Sequence, residues 1–424
     1  MRNILVIGSG GREHAIAWKL NKDEPDNSIY CIPGNAGTHQ FAKNIDIDIN
    51  NFDLISEFVL DSQIDTIIVG PEGPLDKGIV DFFNAKDIKI FGPDQFASQL
   101  ESSKLFARDF MADNNIPQPK YYECSDIESA YKIKAEMGLP LVLKADGLAA
   151  GKGVIICNSD QEFEDALDVM FNDKKFGDAC SKISIEECLI GEELSVFAIC
   201  DGTDYLIIGN AQDHKRVFDG DEGPNTGGMG AYCPTLLCDK PLLDKVSSDI
   251  IEPTLKGMKD LGHPYIGFLY VGLMIVNKVP YVIEFNVRMG DPETQVVIPK
   301  ISTSLLSLFD SCLKGELKNY KIDFNSHFHV TVVLASKGYP EEYKKGQIIT
   351  GLENIEDGFL FHAGTKIEGD SVLVSGGRVL NVIGVGNSLN DAIQDVYDRI
   401  DKINFDGISY RKDIALKGLK KEAL

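Results

Sequence analysis

Residues 283–295, Ile-Glu-Phe-Asn-Val-Arg-Met-Gly-Asp-Pro-Glu-Thr-Gln, carry the side chains of this sequence that are best suited to chemistry. Glu284, Asn286 and Arg288 occupy alternate positions of an apolar run, and alternate side chains of a β-strand point to the same face. Carboxylate and amide oxygens are ligands that Mg²⁺ prefers, and a guanidinium grips phosphate or carboxylate oxygens. This pattern predicts a site for Mg²⁺ and ATP.

The alternative to a binding site is an edge strand whose polar face is simply exposed to solvent, and the turn that follows this run helps to decide between the two. Met289-Gly-Asp-Pro-Glu adds two more acids, Asp291 and Glu293, beside a glycine. Like charges that are concentrated in a tight bend repel one another unless a cation lies near them. We therefore interpret residues 284–293 as a site.

A glycine-rich segment at residues 141–157 predicts a second phosphate-binding element. Its spacing, Gly-x-x-x-Gly-Lys-Gly, is not that of a Walker loop, which continues with Ser or Thr and leads into a helix. Here the loop joins two apolar β runs, so we expect a flap whose amides and lysines cover a triphosphate. The alternative is a mobile hairpin tip. The candidate residues are Lys144, Gly147, Gly151, Lys152 and Gly153.

Residues 212–231 form a long predicted loop in which mixed charges are followed by glycines. Loops of this length are uncommon in compact domains unless they are functional or disordered. Asp213 and Lys215 stand two positions apart, a spacing that suits the two charges of one zwitterionic ligand.

Glycines also follow the first predicted strand, at residues 6–14. A strand–glycine–helix turn aims backbone N–H groups at an anion, although a tight turn without a ligand is the alternative. The dinucleotide fingerprint needs a third glycine where this chain has Glu13, and an acid where it has Asn35, so NAD is disfavoured. The candidate phosphosugar-binding residues here are Gly8, Gly10, Gly11, Arg12 and Glu13.

Two further turns raise the prediction of a phosphosugar site in the first hundred residues. The stretches 35–37 and 70–73 each follow a β run, and parallel sheets bind ligands at the carboxyl ends of their strands. The candidate residues are Asn35, Gly37, Pro71 and Glu72.

Composition narrows the class of protein. The 424 residues are 43% hydrophobic, enough for a large core divided among several domains. A formal net charge of −23 repels phosphate backbones and anionic lipid, which disfavours nucleic acid and membrane surfaces as partners. No signal peptide or membrane-spanning run is evident, so we expect a cytoplasmic protein. The nine cysteines contain no Cys-x-x-Cys pair and predict neither disulfides nor structural zinc.

The order of predicted elements divides the chain into three parts. The first hundred residues alternate β runs with helical patterns, which predicts βαβ units and a parallel sheet. A mixed α and β segment begins near Lys104. Within it, runs 268–276 and 279–287 flank Asn277-Lys278, which predicts a hairpin whose second strand holds Glu284. A third segment begins near Phe328.

Four stretches taken together, 8–14, 144–153, 212–231 and 283–295, resemble the glycinamide ribonucleotide synthetases, the phosphoribosylamine–glycine ligases of the ATP-grasp superfamily. The resemblance covers essentially the whole chain. Its specific motifs are Asp213-His-Lys-Arg…Pro-Asn-Thr-Gly-Gly-Met-Gly-Ala-Tyr232 and Arg288-x-Gly-Asp-Pro-Glu-Thr-Gln295. One departure is Met289, where the family usually has Phe or Leu, and this swap keeps the position apolar.

This resemblance implies both a fold and a reaction. It implies a parallel-sheet N-terminal domain at 1–103 and an ATP-grasp domain of two α+β lobes at 104–327, with a lid lobe at about 124–192. A small mixed α/β C-terminal domain would follow at 328–424. The reaction would join glycine to 5-phosphoribosylamine through glycyl phosphate, as ATP becomes ADP and phosphate. We expect a single activity, small-molecule partners only, and a monomer or weak homodimer.

The resemblance also implies roles for particular residues. Glu284 and Asn286 would bind Mg²⁺ or Mn²⁺. The residues implied for ATP, besides the glycine-rich flap, are Lys104, Lys144, Glu186, Glu187, Leu189 and Glu193. The residues implied for glycine are Asp213, Asp291, Pro292 and Thr294, and those implied for catalysis are Asp213, Lys215 and Arg288.

Three other functions fit parts of the sequence. A different ATP-grasp ligase, one that uses formate or bicarbonate, would share the Glu284 strand. A dinucleotide-dependent oxidoreductase would explain the first hundred residues and leave that strand without a role. A nucleotide-binding module without catalytic activity would bind ATP but would show no turnover stimulated by substrate.

Overall fold

The computed structural model of the chain describes residues 1–148, 153–173, 177 and 181–422. In this part of the chain, no helix is long and apolar enough to cross a membrane.

The N-terminal segment is a five-stranded parallel sheet in the order β3-β2-β1-β4-β5, as the alternating pattern predicted. Its strands are β1 (Asn3–Gly8), β2 (Ser28–Pro33), β3 (Lys43–Asn44), β4 (Thr66–Val69) and β5 (Ile90–Phe91). Its helices are α1 (Gly11–Asp23), α2 (Phe52–Asp61), α3 (Glu72–Asp76), α4 (Ile79–Asn84) and α5 (Gln99–Ser102). The carboxyl ends of β1, β2 and β4 therefore lie along one edge.

The next segment forms a separate four-stranded antiparallel sheet in the order β6-β9-β7-β8. Its elements are α6 (Lys104–Asp113), β6 (Tyr121–Cys124), α7 (Ile127–Met137), β7 (Leu141–Ala145), β8 (Val154–Cys157), α8 (Asp160–Leu167) and β9 (Ile183–Glu187). The glycine-rich segment joins the paired strands β7 and β8, as predicted, with Lys144 opposite Val154. Of the predicted flap residues, Gly151 and Lys152 lie outside the described residues.

A second large sheet runs through the rest of the chain in the order β16-β15-β10-β11-β14-β17-β21-β18, with β22 paired to β17. The elements before residue 320 are β10 (Glu192–Asp201), β11 (Tyr205–Asp213), β12 (Arg216–Phe218), β13 (Glu222–Asn225), β14 (Gly230–Cys233), α9 (Lys240–Val246), α10 (Glu252–Asp260), β15 (Ile266–Val276), β16 (Val279–Asn286), α11 (Thr294–Val297) and α12 (Leu305–Leu313).

The elements that complete the chain are β17 (Phe328–Ser336), β18 (Leu360–His362), β19 (Thr365–Glu368), β20 (Ser371–Val374), β21 (Arg378–Gly386), α13 (Leu389–Ile400), β22 (Ile408–Ser409) and α14 (Leu416–Glu422). Pairing of β14 with β17 joins the C-terminal strands to the strands that precede them. One continuous ladder therefore connects the Glu284 strand with the C-terminal segment.

The predicted hairpin around Asn277-Lys278 is present. Both residues have positive φ, 50° and 64°, the conformation of the two-residue turns whose twist matches paired strands. This turn fixes the register in which Glu284 lies opposite Gly272.

The prediction of a long loop at 212–231 is corrected by the structure. Strand β11 extends to Asp213, β12 and β13 form a two-stranded hairpin, and β14 begins at Gly230. The glycines and charged residues of this stretch hid these short strands, because such residues are depleted in strands.

Candidate active site

Strand β16 and the residues that follow it bring Glu284, Asn286 and Arg288 together. Nη2 of Arg288 donates a hydrogen bond to Oδ1 of Asn286 over 3.2 Å. A Cβ on Gly272 would lie 2.9 Å from Cγ of Glu284, so the glycine makes room for this carboxylate. The sequence pattern therefore located a real cluster.

Glu284 is held in its ionised form by surrounding lysines. Burial alone raises its pKa, but the charges of Lys215, Lys104 and Lys144 outweigh that effect and lower the pKa to about 2. Its side chain keeps 28% of its surface exposed, so a ligand can reach it. The carboxylate is therefore charged and accessible at neutral pH.

Arg288 is already engaged by two acids. Its Nε lies 3.2 Å from Oε2 of Glu72, and its Nη2 donates to Oε1 of Glu101 over 2.6 Å. Glu101 also accepts from the backbone N–H of Val287 over 2.8 Å. Arg288 thus fixes the end of β16 to α3 and α5, and Glu101 is a partner that the sequence pattern did not reveal.

Lys215 faces the same carboxylate from the stretch between β11 and β12. Its Nζ lies 3.1 Å from Oε2 of Glu193 and 3.6 Å from Oε1 of Glu284. Although burial lowers the pKa of Lys215, the charges of Glu193, Glu284 and Asp213 raise it well above its ordinary value. Lys215 is therefore a permanent cation beside the predicted metal ligand.

Two buried carboxyl groups, Asp213 and Glu293, lie near this lysine. Burial raises the pKa of each, and the charge of Asp213 contributes to a pKa of about 7 for Glu293. Oε1 of Glu293 accepts from the hydroxyl of Tyr270 over 3.0 Å, which in turn accepts from Ser195 over 2.8 Å. Lys215 and, for Asp213, Lys417 offset the effect of burial only in part.

A small cavity lies between α6, β7, β9 and β16. Its charged lining residues are Lys104, Arg108, Lys144, Glu186 and Glu284, and its apolar lining residues include Leu100, Met111 and Phe285. The lining combines cations with apolar side chains, the kinds of groups that hold the phosphates and the base of a nucleotide, but the space it encloses here is only about 10 Å³.

Glu186 is the centre of a buried ion cluster in the wall of this cavity. Arg108 donates Nε and Nη2 to its two oxygens over 2.9 and 2.6 Å, and Nζ of Lys144 lies 2.9 Å from Oε2. Burial raises the pKa of Glu186, but the charges of Lys144 and Arg108 lower it to about 2. Lys144 also donates to the carbonyl oxygen of Ile283 over 2.8 Å, which ties β7 to β16.

The remaining residues that were predicted for ATP lie around this cluster. Lys104 opens α6, and Asp146, the residue before Gly147, accepts from the backbone N–H of Leu105 over 3.1 Å, which ties the end of β7 to that helix. The side chain of Glu187 is exposed at the end of β9, and Leu189 follows in the hinge before β10. Gly153 lies directly before β8.

The N-terminal glycine turn is filled by Glu13. Its Oε2 accepts from the backbone N–H of Gly10 over 2.7 Å, and its Oε1 accepts from Nε of Arg12 over 2.5 Å. A Cβ on Gly8 would lie 2.3 Å from Cγ of Glu13, and a Cβ on Gly70 would lie 2.1 Å from Oε1 of Glu13. These two glycines are therefore explained by space for Glu13, without any need for a phosphate.

Asp291 connects the same turn with the rest of the site. A Cβ on Gly10 would lie 3.1 Å from Oδ2 of Asp291, and Oδ1 of Asp291 accepts from Nε2 of Gln295 over 2.8 Å. Burial raises the pKa of Asp291, but the charges of Arg378 and Arg12 outweigh burial and lower it. A Cβ on Gly11 would lie 2.5 Å from Nε2 of Gln295, so Gly11 permits this close approach.

Several predicted residues support the turns around the site. Asn35 donates to the carbonyl oxygens of Ser9 and His362 over 2.9 and 2.8 Å and accepts from the N–H of Gly37 over 2.9 Å. The hydroxyl of Thr294 is fully buried and donates to the carbonyl oxygen of Gly290. Asn35 and Thr294 therefore brace the backbone.

Arg378, which sequence reasoning did not identify, joins three parts of the chain at this point. From the start of β21, its Nη1 donates to the carbonyl oxygens of Gly227 and Asp291 over 2.7 and 2.5 Å. Pro292 packs against Gly228, since a Cβ on Gly228 would lie 2.4 Å from Cδ of Pro292. Pro71 caps α3, which carries Glu72 to the same junction. No local pattern marks an arginine whose partners are 87 and 151 positions away.

The fold and this site define an ATP-grasp enzyme. Models of phosphoribosylglycinamide synthetase match residues 2–101 (N domain), 102–294 (ATP-grasp domain) and 329–417 (C domain). The chain belongs to the phosphoribosylglycinamide synthetase family.

Individual proteins support this assignment. The chain is 44% identical to a phosphoribosylamine–glycine ligase of Caldanaerobacter subterraneus subsp. tengcongensis, over 97% of this chain and 99% of that protein. It is 46% identical to the Neisseria meningitidis serogroup B protein of the same name, over 99% and 100%. The crystal structure of a phosphoribosylamine–glycine ligase from Thermotoga maritima has a TM-score of 0.84 and 33% identity, over 97% and 99%. The resemblance seen in the motifs is confirmed.

Proposed function

We propose that this enzyme forms glycinamide ribonucleotide through a glycyl phosphate intermediate. The overall reaction is that of its family, an ATP-dependent carbon–nitrogen ligation in purine biosynthesis that joins glycine to 5-phosphoribosylamine and releases ADP and phosphate. The observation that carries the proposal is the convergence of the ionised Glu284 and the cation Lys215 beside two buried carboxyl groups whose pKa values are raised, Asp213 and Glu293.

Glu284 and Asn286 suit Mg²⁺ or Mn²⁺ as ligands. The carboxylate is ionised and partly exposed, and a carbonyl oxygen has two lone pairs, so Arg288 leaves Asn286 one with which to bind a cation. The bound ion would supply charge neutralisation at the β- and γ-phosphates.

The nucleotide would bind where β9 and β16 face each other, beside the small cavity. Its base would lie against the hinge, where main-chain groups of residues 186–189 would read its edge. Lys104 and Lys144 line the same cavity and would contact the phosphates. Glu193, which is 41% exposed at the start of β10, would hold the ribose hydroxyls.

The first chemical step would be attack of the glycine carboxylate on the γ-phosphoryl group, with ADP as the leaving group. Lys215 would then exchange its carboxylate partners for the transferring phosphoryl group and stabilise its charge. The glycine ammonium would lie between Asp213 and Glu293, because a cation there would offset the burial and the repulsion that together raise the pKa of Glu293.

In the second step, the amino group of phosphoribosylamine would attack the carbonyl carbon of glycyl phosphate, with phosphate as the leaving group, and the amine would lose a proton. The sugar would lie where the N-terminal turn meets Asp291 and Pro292, and Arg12 and Arg378 supply positive charge there. In this proposal Arg288 holds Asn286 and the turn after it, because both sides of its guanidinium are occupied by acids. The flap would exclude water from the acyl phosphate.

The test is to measure ADP release with Mg-ATP and glycine, with and without phosphoribosylamine. The phosphoribosylamine is formed in the assay from 5-phosphoribosyl pyrophosphate and ammonia. Release that needs both substrates, with glycine in the product, supports the proposal. Release that formate or bicarbonate stimulates instead would refute the assigned substrate while leaving an ATP-grasp ligase.

We further propose that the enzyme is cytoplasmic and acts as a monomer or weak homodimer.

A further inference from the structure

The C-terminal residues 411–417 lie over the stretch that carries Asp213 and Lys215. Arg411 is the largest fully buried side chain of the described residues, with 1% of its surface exposed. Its Nη1 donates to the carbonyl oxygen of Arg216 over 3.0 Å and to Oδ1 of Asp221 over 2.8 Å. A buried guanidinium therefore holds the β12–β13 hairpin from outside the site.

Neighbouring residues of the same segment strengthen this attachment. Asp413 binds Nε and Nη2 of Arg411, each over 2.8 Å, and accepts from the backbone N–H of Gly220 over 2.8 Å. The backbone N–H of Lys412 donates to Oδ1 of Asp219 over 2.8 Å. The turn between β12 and β13 is thus fixed by several hydrogen bonds, one of them to the charged side chain of Asp413.

A second attachment lies at the base of the stretch. Nζ of Lys417 donates to the backbone carbonyl oxygen of Asp213 over 2.7 Å, and the backbone N–H of Ala415 donates to Nε2 of His214 over 3.2 Å. The carbonyl groups of Asp213 and Arg216 stand on either side of Lys215 in the chain. The C-terminal segment therefore holds the backbone both before and after this lysine.

We infer that Arg411 and Lys417 are positioning residues for the reaction: they set the backbone from which Asp213 and Lys215 reach the glycine and phosphoryl groups. The inference rests on the proposed function, which gives Asp213 and Lys215 those roles. Arg411 and Lys417 act from the backbone side, and the ion pairs of Lys215 are with Glu193 and Glu284. A displacement of about 1 Å is enough to cost about 100-fold in rate, so loss of either attachment should reach the chemistry.

The experiment compares Lys417→Met and Arg411→Met with Arg399→Met in the full-length enzyme. Arg399 is a matched control, because it lies in α13, pairs with Asp395 over 3.0 Å and covers the ring of Phe359. The measurements are kcat and KM for glycine, the dissociation constant of a non-hydrolysable ATP analogue, and the urea midpoint of unfolding.

We expect kcat of Lys417→Met and Arg411→Met to fall about tenfold or more, and KM for glycine to rise, with the ATP analogue bound as in the wild type. Arg399→Met should keep wild-type kinetics at a similar urea midpoint. Lys417 is partly exposed, so its variant keeps the inference testable if Arg411→Met does not fold. Wild-type kcat and glycine KM in Lys417→Met would overturn the inference.

Lys215→Met separates this inference from the proposed function. If Lys215→Met has wild-type turnover, the role proposed for Lys215 is wrong and the positioning inference falls with it. If Lys215→Met is inactive while folded Arg411→Met and Lys417→Met turn over like the wild type, the proposed function stands and the positioning inference is overturned.

Discussion

Replacement of Glu186 by Gln should strongly destabilise the enzyme, because it removes the one carboxylate that is shared by Arg108 and Lys144. All three side chains are at least nine-tenths buried, at 1%, 2% and 7% exposure for Glu186, Arg108 and Lys144. Glutamine keeps the shape of the side chain and turns an amide toward two cations. Both positive charges would then be buried without their counter-ion.

Two independent routes give the size of the effect. The pKa of Glu186 falls from an ordinary value of 4.5 to about 2 in the folded protein. At about 1.36 kcal/mol per pKa unit, this fall corresponds to about 3 kcal/mol of unfolding free energy at neutral pH. Removal of one partner from a buried ion pair typically costs about 3–5 kcal/mol. We therefore expect a loss of about 3 kcal/mol.

The measurement is equilibrium unfolding in urea at pH 7.5, followed by far-ultraviolet circular dichroism. With a urea dependence of about 1–3 kcal/mol per molar, the midpoint should fall by about 1 M or more. The matched control is Glu136→Gln, in the same lobe, whose pair with Lys120 is 2.9 Å long but more than half exposed. That variant should unfold at the wild-type midpoint, because exposed pairs contribute little.

The pH dependence has a definite sign. Because the folded pKa lies below the unfolded one, the stabilisation from Glu186 is complete above about pH 5 and is lost as pH falls toward about 2. The difference between wild type and Glu186→Gln should therefore narrow below pH 5. A loss under about 1 kcal/mol at pH 7.5, or one equal to that of Glu136→Gln, would refute the reasoning.

Three further predictions concern the site and its supports. Glu284→Gln should abolish ADP release with an unchanged circular dichroism spectrum, and retained turnover would contradict the metal assignment. Removal of divalent cations with EDTA should stop ADP release until Mg²⁺ or Mn²⁺ is added; full activity in EDTA would count against a metal requirement. Gly37→Ala should lower the unfolding free energy by about 1–3 kcal/mol in a urea titration, because its Cβ would lie 2.1 Å from Cε1 of His14. Gly73→Ala, which lies in α3 and meets no atom within 4 Å, is the control and should not lower the unfolding free energy; an equal loss in both variants would contradict the steric argument.

Local patterns in the sequence were sufficient for the strand that carries Glu284. The Asn277-Lys278 turn and the apolar runs around it depend on neighbours in sequence, so the hairpin could be predicted, as could the shared face of Asn286 and Arg288. The alternation of the first hundred residues likewise depends on local periodicity and predicted the parallel sheet.

The partners of the charged groups could not be predicted in this way. Arg108 lies in α6 and pairs with Glu186, 78 positions later, and Glu101 pairs with Arg288, 187 positions later. Nothing near either residue in sequence distinguishes it from an ordinary helix residue. The short strand β14, only four residues long, was also missed, because its pairing with β17 is formed across about a hundred residues.

The continuous ladder from β16 to β18 has a mechanical consequence. Strands β16 to β14 and the C-terminal strands β17 to β18 are joined by the β14–β17 pairing. The two sets of strands therefore cannot separate without breaking backbone hydrogen bonds. The four-stranded sheet that carries the flap shares no strand with this frame and is joined to it near Lys144 by a hydrogen bond to Ile283. The strands of this frame are therefore tied to one another by backbone pairing, whereas the four-stranded sheet is held against it by side-chain contacts such as that of Lys144.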